Sequence, residues 1–381
     1  MKKLLIEASV LEQDRPSGVN YFTDGLAGGI EAVSSDTLDT GYFWLNFLRR
    51  KKARNQYTVE AEKRGRLQQI SLIPQKIYAK LVYFNIAPPL WVEKSDWLLF
   101  PNFYIWPTFR STKKAVIIHD LCFLRYPEYV EDKNRQFLEQ VAIRSMKEAD
   151  LIISNSEFTT SELIAIGNVP EEKIVTINIP VDTKEFLPEL DKGKKRLTDR
   201  YNIHKPYILW LGNLEPRKNL NTLVNAYCQL PESLRDTYSL VLVGKWGWKA
   251  ESLRELIDKR QSKGFDIITT GHIDQDDKAT FYYQATAFAI TTHYEGFGMQ
   301  LLEALHCGVP SVAVDIPVLR EVGGDSCLWV EKSVEGVSQG LNILLTNETM
   351  RKDLSERGKR RASTFSWEKT ARVLVDRLLN D

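Results

Sequence analysis

Two carboxylates on either side of a glycine turn form a stretch of this chain that is well suited to chemistry. In THYEGFGMQLLEAL (residues 292–305), Glu295 precedes a Gly-Phe-Gly turn, and Glu303 follows Glu295 by eight positions. Paired carboxylates often act as general acid and base, as they do in glycosidases. A second interpretation is that Glu303 is an exposed helix carboxylate and that Glu295 caps the helix. The choice depends on the elements that position the pair.

The turn between the two glutamates is predicted to join a strand to a helix. AFAITTH (287–293) is typical of a buried strand, and a helix is expected to start near Met299. Gly296 and Gly298 lack a Cβ, so backbone N–H groups at the turn can point at a ligand oxygen. The positive end of the helix dipole would face the same place. The pattern therefore favours a ligand at this turn.

A second candidate feature is the pair of cations Arg217 and Lys218. They follow the predicted strand YILWLG (207–212) and precede a predicted helix. A strand end beside a helix N-terminus favours anions, and two cations there could clamp a diphosphate. The alternative is that both are solvated loop residues. The next predicted strand ends at Gly244, where the backbone could approach a ligand closely.

Composition excludes several classes of protein. The chain has 381 residues and a formal net charge of +1, which suits two ordinary domains and gives no global sign of a nucleic-acid partner. Its four cysteines are far apart in sequence, so neither a disulfide framework nor a zinc site is expected. The start resembles a first strand rather than a signal peptide, and no apolar run is long enough to span a bilayer. We therefore expect a cytoplasmic protein that is peripheral to a membrane at most.

Apolar runs alternate with amphipathic helical patterns along the chain, most cleanly in its second half. Strands of this kind, each followed by a helix, indicate parallel sheets with helices on both faces, which bind ligands at the carboxyl ends of their strands. The sequence predicts an α/β protein with two doubly wound, Rossmann-like domains and a cleft between them. The predicted parts are a domain at 1–182, a charged linker at 183–205, a domain at 206–365 and a C-terminal helix at 366–381 that returns to the first domain.

Several motifs in order resemble one known family. YEGFGMQLLEALHCGVPSVA is similar to the nucleotide-sugar site of retaining GT-B glycosyltransferases, specifically glycosyltransferase family 4, whose signature is a Glu, seven residues and a second Glu. LGNLEPRKNL resembles the family's phosphate loop, and GHIDQDDKATFYYQATAFAI resembles the region before the signature. VIIHDLCFLRYPE and ISNSEFTTSEL resemble its N-terminal domain, so the resemblance covers nearly the whole chain. It implies that the domain at 1–182 binds the acceptor and that the domain at 206–365 binds the nucleotide sugar.

The resemblance implies a role for each candidate residue. Glu303 would hold the ribose hydroxyls of the nucleotide, and Glu295 would contact the hydroxyls of the donor sugar. Arg217 and Lys218 would neutralise the leaving diphosphate, so these two cations would stabilise developing charge. His119, at a strand end in the first domain, would reach the donor sugar. The other implied donor-binding positions are Gly18, Gly212, Asn213, Gly244, Gly271, His272, Ile273, Gly296, Phe297, Gly298 and Met299.

The chain departs from the family pattern at two places. Asn213 stands where many relatives carry an arginine, so Arg217 and Lys218 are assumed to supply the charge. Met-Gln follows the Gly-Phe-Gly turn in place of the frequent Leu-Pro. Asp120, beside His119, is expected to brace its loop, although by itself the His-Asp pair could be a satisfied structural pair.

No catalytic metal and no cofactor are expected. The Asp-x-Asp pair Asp274 and Asp276 lies where a helix should begin, so helix capping and the helix dipole account for it. GT-B enzymes generally handle the diphosphate with cations of the protein itself. The donor nucleotide sugar would be a substrate.

A basic segment suggests an acceptor at a membrane. Between positions 49 and 80 there are ten Lys or Arg and two acids, and aromatic residues flank this run within 42–97. Such a segment is typical of contact with an anionic membrane surface, where a lipid-linked acceptor would lie. A solvated loop beside an ordinary helix is the alternative. No nucleic-acid-binding motif appears. The basic residues are Arg49, Arg50, Lys51, Lys52, Arg54, Lys63, Arg64, Arg66, Lys76 and Lys80.

The leading hypothesis is a metal-independent, retaining hexosyltransferase of polysaccharide, lipopolysaccharide or glycolipid assembly. LEPRKNL, GKWGW and HDLCFLRYPE look most like bacterial mannosyltransferases, which implies GDP-mannose as donor and a glycan or lipid-linked acceptor. Three alternatives stay open. They are a transferase of a UDP-sugar (glucosyl, GlcNAc or rhamnosyl type), a GT-B sugar-nucleotide epimerase, and a non-catalytic sugar-binding protein.

Overall fold

The structure, a computed structural model, divides the chain into two compact units. It describes residues 1–12, 18–34, 36–45, 55–70, 73–109, 112–183, 186–187 and 190–381. The first unit consists of Met1–Ile179 together with Ser366–Asp381, and the second of Pro180–Phe365. Each unit is built around its own parallel sheet.

In the part of the first unit that the structure describes, the sheet has seven strands in the order β3-β2-β1-β4-β5-β6-β7. Neighbouring strands are parallel, and β1 is the point where the order reverses, with β2 on one side and β4 on the other. Ligands bind to such sheets outside the carboxyl ends of the strands that meet at a switch point. The strands are β1 Lys2–Glu7, β2 Leu38–Leu45, β3 Leu67–Ile70, β4 Trp97–Phe100, β5 Lys113–Ile118, β6 Leu151–Ser154 and β7 Ile174–Thr176.

Helices cover this sheet, and the last helix of the chain is one of them. The Trp367 ring packs against Phe22 and Tyr21 of the first helix, at centroid distances of 5.9 Å and 6.1 Å. Gly25 and Gly29, on the same helix, make this close approach feasible because they carry no side chain. The helices are α1 Gly18–Ser34, α2 Gln56–Lys63, α3 Gln75–Tyr83, α4 Cys122–Arg125, α5 Asp132–Glu148, α6 Glu157–Ala165 and, from the end of the chain, α16 Trp367–Asn380.

The structure corrects the prediction for the aromatic residues near position 42. They were expected to flank a membrane-facing segment, but Tyr42, Phe43 and Trp44 lie in β2 and are buried. Six consecutive residues of this strand, from 40 to 45, are buried, as expected for an inner strand of a parallel sheet that is covered on both faces. This end of the predicted membrane segment therefore belongs to the core.

The described part of the second unit contains a sheet of six strands in the order β10-β9-β8-β11-β12-β13. β8 pairs in parallel with both β9 and β11, and the switch point lies between β8 and β11. The strands are β8 Tyr207–Leu211, β9 Ser239–Val243, β10 Ile267–Gly271, β11 Ala287–Ile290, β12 Ser311–Val314 and β13 Cys327–Val330.

Much of the stretch predicted as a linker, 183–205, is helical. Arg200 of this helix bonds Asp277 and Asp274, and Arg196 lies 3.1 Å from the Asp277 carboxylate. These ion pairs attach the helix to the second unit. The helices of this unit are α7 Leu190–Tyr201, α8 Leu220–Cys228, α9 Glu232–Thr237, α10 Glu251–Gln261, α11 Gln275–Tyr283, α12 Met299–His306, α13 Pro317–Gly323, α14 Val334–Thr346 and α15 Glu348–Ala362.

No helix within the described residues combines the length and the apolar character that crossing a bilayer requires.

We expect Gly25→Leu to destabilise the first unit. A Cβ at position 25 would overlap the Trp367 ring, so the substitution would force α16 away from α1. Overpacking of this kind costs about 1–3 kcal/mol, which urea unfolding would measure. Gly18→Ala is the control, because a Cβ at position 18 meets no atom within 4 Å. Equal stability of the two variants would show that α1 and α16 can move apart at this contact without a loss of stability.

Candidate functional site

The loop after β8 and the loop after β11 are bonded to each other at the carboxyl edge of the second sheet. The Thr292 hydroxyl donates to the Arg217 carbonyl at 3.0 Å, and the His293 amide donates to the same oxygen at 2.8 Å. The Asn219 side chain donates to the Thr291 carbonyl at 3.1 Å. Because β8 and β11 are neighbours at the switch point, these bonds hold the two predicted chemical features side by side.

Glu295 is buried, with 5% exposure, and lies between the two cations. Lys218 Nζ donates to its Oε1 at 2.6 Å, and Arg217 Nη1 donates to its Oε2 at 2.7 Å. Burial alone would raise the pKa of Glu295, but the charges and hydrogen bonds of Arg217 and Lys218 outweigh burial and lower it to about 2. Glu295 is therefore an ionised member of a buried ion cluster. Gly298, rather than Glu295, occupies the N-cap of α12, so the capping interpretation is wrong.

A second carboxylate, Glu215, completes this cluster, and sequence reasoning did not single it out. Its Oε1 accepts from Arg217 Nη2 at 2.9 Å and from Arg217 Nε at 3.2 Å, and its side chain is 3% exposed. The guanidinium thus lies between two carboxylates, which fixes its orientation. Burial, followed by the Arg217 charge, lowers the pKa of the Lys218 ammonium below its ordinary value, against the effect of Glu295 and Glu215. The available sequence signal was a Glu two residues before Arg217.

Glu303, the other signature carboxylate, is also buried, so the interpretation as an exposed helix carboxylate is wrong. Tyr282 Oη donates to its Oε2 at 2.8 Å, and Lys278 Nζ is paired with its Oε1. Burial and the nearby Glu303 charge raise the pKa of Tyr282, so its hydroxyl stays a donor. Lys278 and Tyr282 were not predicted, although their spacing of four positions places both on one face of α11.

The glycines at the ends of β8, β9 and β10 pack backbone against backbone. Gly212, Gly244 and Gly271 have φ values of 149°, 137° and 69°, which favour glycine. A Cβ on Gly244 would overlap the Gly212 carbonyl oxygen, and the Gly244 amide donates to the Gly271 carbonyl at 3.0 Å. Contact between neighbouring strand ends therefore explains Gly244 without reference to a ligand.

The turn before α12 follows the predicted geometry. The helix begins at Met299, as expected, and Gly298 has a φ of 99°. Gly296 and Phe297 are buried, and the Phe297 ring packs on Phe365 at a centroid distance of 6.0 Å. Gly212 lies close to the start of α12, because a Cβ placed on it would be 3.6 Å from Gln300 Nε2. The Gly-Phe-Gly turn and the loop after β8 thus border the same edge of the sheet.

The remaining candidates of this unit lie on its surface. Asn213 and His272 are exposed, and Ile273 is half-buried. Asp274 occupies the N-cap position of α11, as predicted, but its side chain makes no cap bond and instead accepts from Arg200 Nη2 at 2.9 Å. Asp276 lies in the first turn of the helix, as the dipole argument requires. Among the described residues, no group of three or more His, Cys, Asp or Glu side chains is arranged to hold a metal ion.

In the first unit, His119 follows β5 and is packed between the rings of Phe22 and Phe103, at 5.6 Å and 5.4 Å. Its Nε2 lies 2.8 Å from the Pro101 carbonyl, which can only accept, so Nε2 carries the hydrogen. Burial lowers the pKa of this imidazole, which leaves Nδ1 as a hydrogen-bond acceptor. Asp120 accepts from the Cys122 amide at 2.9 Å and braces the loop, as predicted.

Gly18 is the first residue of α1, and the residues just before it, 13–17, lie outside the described part of the chain. A Cβ on Gly18 would meet no atom within 4 Å. Its predicted role in approach to a diphosphate therefore stays a prediction.

The fold matches that of known glycosyltransferases. Residues 194–361 match the family model described as "Glycosyl transferases group 1". The O-antigen chain mannosyltransferase B of Escherichia coli is 32% identical over 270 residues, which cover 70% of each chain. The serotype-specific mannosyltransferase WbdA of the same organism is 28% identical over 272 residues, 69% of this chain but 33% of WbdA. The solved structure of Anabaena HepE in complex with UDP and glucose aligns over 100% of both chains, with a TM-score of 0.70 and 16% identity.

The chain therefore belongs to the group 1 glycosyl transferases. Two units with parallel Rossmann-like sheets are the architecture of the GT-B fold, so the family and the fold class predicted from sequence are both confirmed.

We expect Glu295→Ala to destabilise the second unit by about 3–5 kcal/mol, because it leaves Lys218 buried beside Arg217 without its counter-charge. The double variant Glu295→Ala/Lys218→Met removes the unpaired ammonium as well. It should therefore be more stable than Glu295→Ala alone, and urea unfolding of the wild type, both single variants and the double variant would measure this. Strictly additive losses from Glu295→Ala and Lys218→Met would show that the two groups do not interact.

Proposed function

We propose that this glycosyltransferase transfers mannose from GDP-mannose, with retention of configuration, to a hydroxyl of a glycan or lipid-linked acceptor in bacterial polysaccharide or lipopolysaccharide assembly. The observation that carries the proposal is the 32% identity, over 70% of each chain, to an O-antigen chain mannosyltransferase. The ion cluster of Glu295, Arg217 and Lys218 supports it, because this cluster lies where an α/β sheet binds its ligand.

The cluster suits a donor that carries both a diphosphate and a sugar. Arg217 and Lys218 supply two positive charges, and Glu215 and Glu295 balance them within hydrogen-bonding distance. In the proposal, the sugar hydroxyls donate to the remaining lone pairs of Glu295, and the two cations face the diphosphate. Charge that develops on the leaving group is stabilised by donors already in place, which requires little reorganisation.

The second carboxylate would recognise the nucleotide. We propose that Glu303 binds the two ribose hydroxyls, which a carboxylate accepts through two oxygens. Lys278 and Tyr282 already bond both of these oxygens, so they would hold Glu303 in its rotamer while the ribose joins the network. The other predicted donor-binding positions keep the roles that the resemblance assigns to them.

The anomeric configuration would be retained because the acceptor hydroxyl attacks the anomeric carbon on the same face from which the diphosphate leaves. The acceptor hydroxyl adds to the anomeric carbon as the bond to the diphosphate oxygen breaks, and the leaving phosphate takes the acceptor proton. No side chain then has to act as a strong base. This agrees with a Glu295 that is ionised but engaged by two cations, since its lowered pKa makes it a weak proton acceptor.

We expect GDP-mannose, among a panel of nucleotide sugars that includes UDP-glucose and UDP-GlcNAc, to raise the melting temperature of the purified chain most.

Glu303→Ala should weaken GDP-mannose binding by about tenfold or more, since charged hydrogen bonds contribute about 1.5–3 kcal/mol. His119→Ala and Lys218→Ala should mainly reduce turnover, read from mannosyl transfer to octyl α-D-mannopyranoside.

Glu348→Ala is the control for these variants, because Glu348 is exposed on α15 and pairs only with Lys352 among the described residues. Proton NMR of the product would report the anomeric configuration. Transfer rates near wild type in Glu303→Ala, His119→Ala and Lys218→Ala would contradict the site assignment. Preference for a UDP-sugar would show that GDP-mannose is not the donor. A changed sugar configuration after incubation with a UDP-sugar would indicate an epimerase.

We further propose that α3 and the segment after it contact an anionic membrane surface. Ile77, Phe84, Ile86, Trp91 and Phe109 are exposed at 51–67%. Tyr78 and Val82 of α3 are buried, so the helix places Ile77 and Lys80 on its solvent side, and Lys76 is also exposed. Exposed apolar side chains beside lysines suit a bilayer interface with anionic lipids. Of the predicted basic run, Arg49, Arg50, Lys51, Lys52 and Arg54 lie outside the described residues.

Lys76→Glu/Lys80→Glu should weaken binding to phosphatidylglycerol vesicles by about 30-fold, since each basic residue contributes about 1 kcal/mol near an anionic surface. Lys259→Glu/Lys263→Glu, which changes two exposed lysines of the second unit, is the matched control. Co-sedimentation at low and high salt would measure both. Equal binding of the two double variants would mean that this face does not contact the bilayer.

A further inference from the structure

A buried carboxyl in the first unit has no part in the site described above. Glu7 ends β1 and is 4% exposed. Its Oε1 accepts from the Ser9 amide at 2.9 Å. A buried carboxyl is costly unless hydrogen-bond donors reach it.

Glu7 lines a small cavity of about 30 Å³. Asn102, Tyr104, Gln75 and Trp106 line it too, so hydrogen-bonding side chains and aromatic rings share its wall. A volume of this size holds one water-sized group, and a sugar ring is several times larger. The cavity therefore matches a single hydroxyl group that projects from a larger ligand.

The position of the cavity in the fold points to a ligand. Glu7 ends β1, and Asn102 follows β4, so the cavity lies at the carboxyl ends of the two strands that meet at the switch point of this sheet. Sheets of this class bind their ligands at that place. Pro101, which also lines the cavity, accepts the Nε2–H of His119, so the cavity adjoins the imidazole predicted to act in transfer.

The protonation of Glu7 suits contact with an alcohol. Burial raises its pKa to about 7, although the Ser9 hydrogen bonds act in the opposite direction. Burial and the nearby Glu7 charge also raise the pKa of Tyr104, so the Tyr104 hydroxyl stays protonated. A hydroxyl both donates and accepts, and a carboxyl that exchanges its proton near neutrality can complement either role.

We propose that this cavity binds one hydroxyl group of the acceptor sugar, with Glu7 and Asn102 as its hydrogen-bonding partners. The proposal rests on the transfer to a sugar hydroxyl proposed above, and it adds the acceptor-binding residues of the first unit. The half-buried Tyr104 ring would lie against an apolar face of the sugar, where aromatic rings pack well. Glu7 holds and orients the acceptor, and it takes no part in bond breaking.

The test separates acceptor binding from donor chemistry. Affinity of the full chain for methyl α-D-mannopyranoside would be measured by saturation-transfer NMR without donor, and affinity for GDP-mannose by calorimetry. Glu7→Gln and Asn102→Ala should each weaken mannoside binding by about tenfold and leave the GDP-mannose affinity within about twofold. Glu93→Gln is the control, because Glu93 is an exposed carboxylate of the same unit. Thermal unfolding would confirm that each variant is folded. If one variant does not fold, the other still tests the proposal.

The outcomes distinguish the two proposals. Mannoside binding that depends on Glu7 and Asn102 supports the cavity assignment even where GDP-mannose is not the donor. Mannosyl transfer by the wild type, with mannoside affinity within twofold in both variants, overturns the cavity assignment and leaves the proposed function standing. Absence of mannoside binding to the wild type also overturns it, because the cavity would then hold only a structural water.

Discussion

The second unit depends on the burial of Glu295 between Arg217 and Lys218. Removing these charges from water is costly, and their mutual attraction offsets that cost only when every hydrogen bond is well placed. The geometry meets this condition. Lys218 and Arg217 lie 2.6 Å and 2.7 Å from Glu295, and Glu215 pairs with the other side of the Arg217 guanidinium at 2.9 Å. A cluster held in this way keeps two cations and a carboxylate at fixed positions, which is what recognition of a charged donor requires.

Backbone constraints around this cluster also hold its charged groups in position. The loops after β8 and β11 bond each other through Thr292, His293 and Asn219, and glycines at neighbouring strand ends let the backbones meet without side chains. α12 begins immediately after the turn, and its Glu303 is held by two side chains of α11. Strand ends, helix starts and buried ion pairs therefore determine together where each functional group lies.

The first unit shows a different balance. Its candidate groups are Glu7, which is buried, and His119, which is half-buried between aromatic rings, and neither belongs to an ion cluster. Burial raises the pKa of Glu7 and lowers the pKa of His119, so it favours the neutral form of each group. The opposite charges around Glu295 instead keep that carboxylate ionised. One unit thus presents groups suited to hydrogen bonds with uncharged hydroxyls, and the other presents groups suited to a charged diphosphate.

The sequence by itself determined the fold class, the family and the start of α12 at Met299, because apolar runs, glycine positions and motif order are local properties of the chain. It misassigned Tyr42, Phe43 and Trp44, because an inner strand and a membrane-facing aromatic run have the same composition. Only the tertiary structure revealed that Glu215, Lys278 and Tyr282 hold the predicted site residues, since these contacts join separate positions of the chain. It also decided the states of Glu295 and Glu7, because the pKa of a carboxyl depends on which charges and how much water surround it after folding.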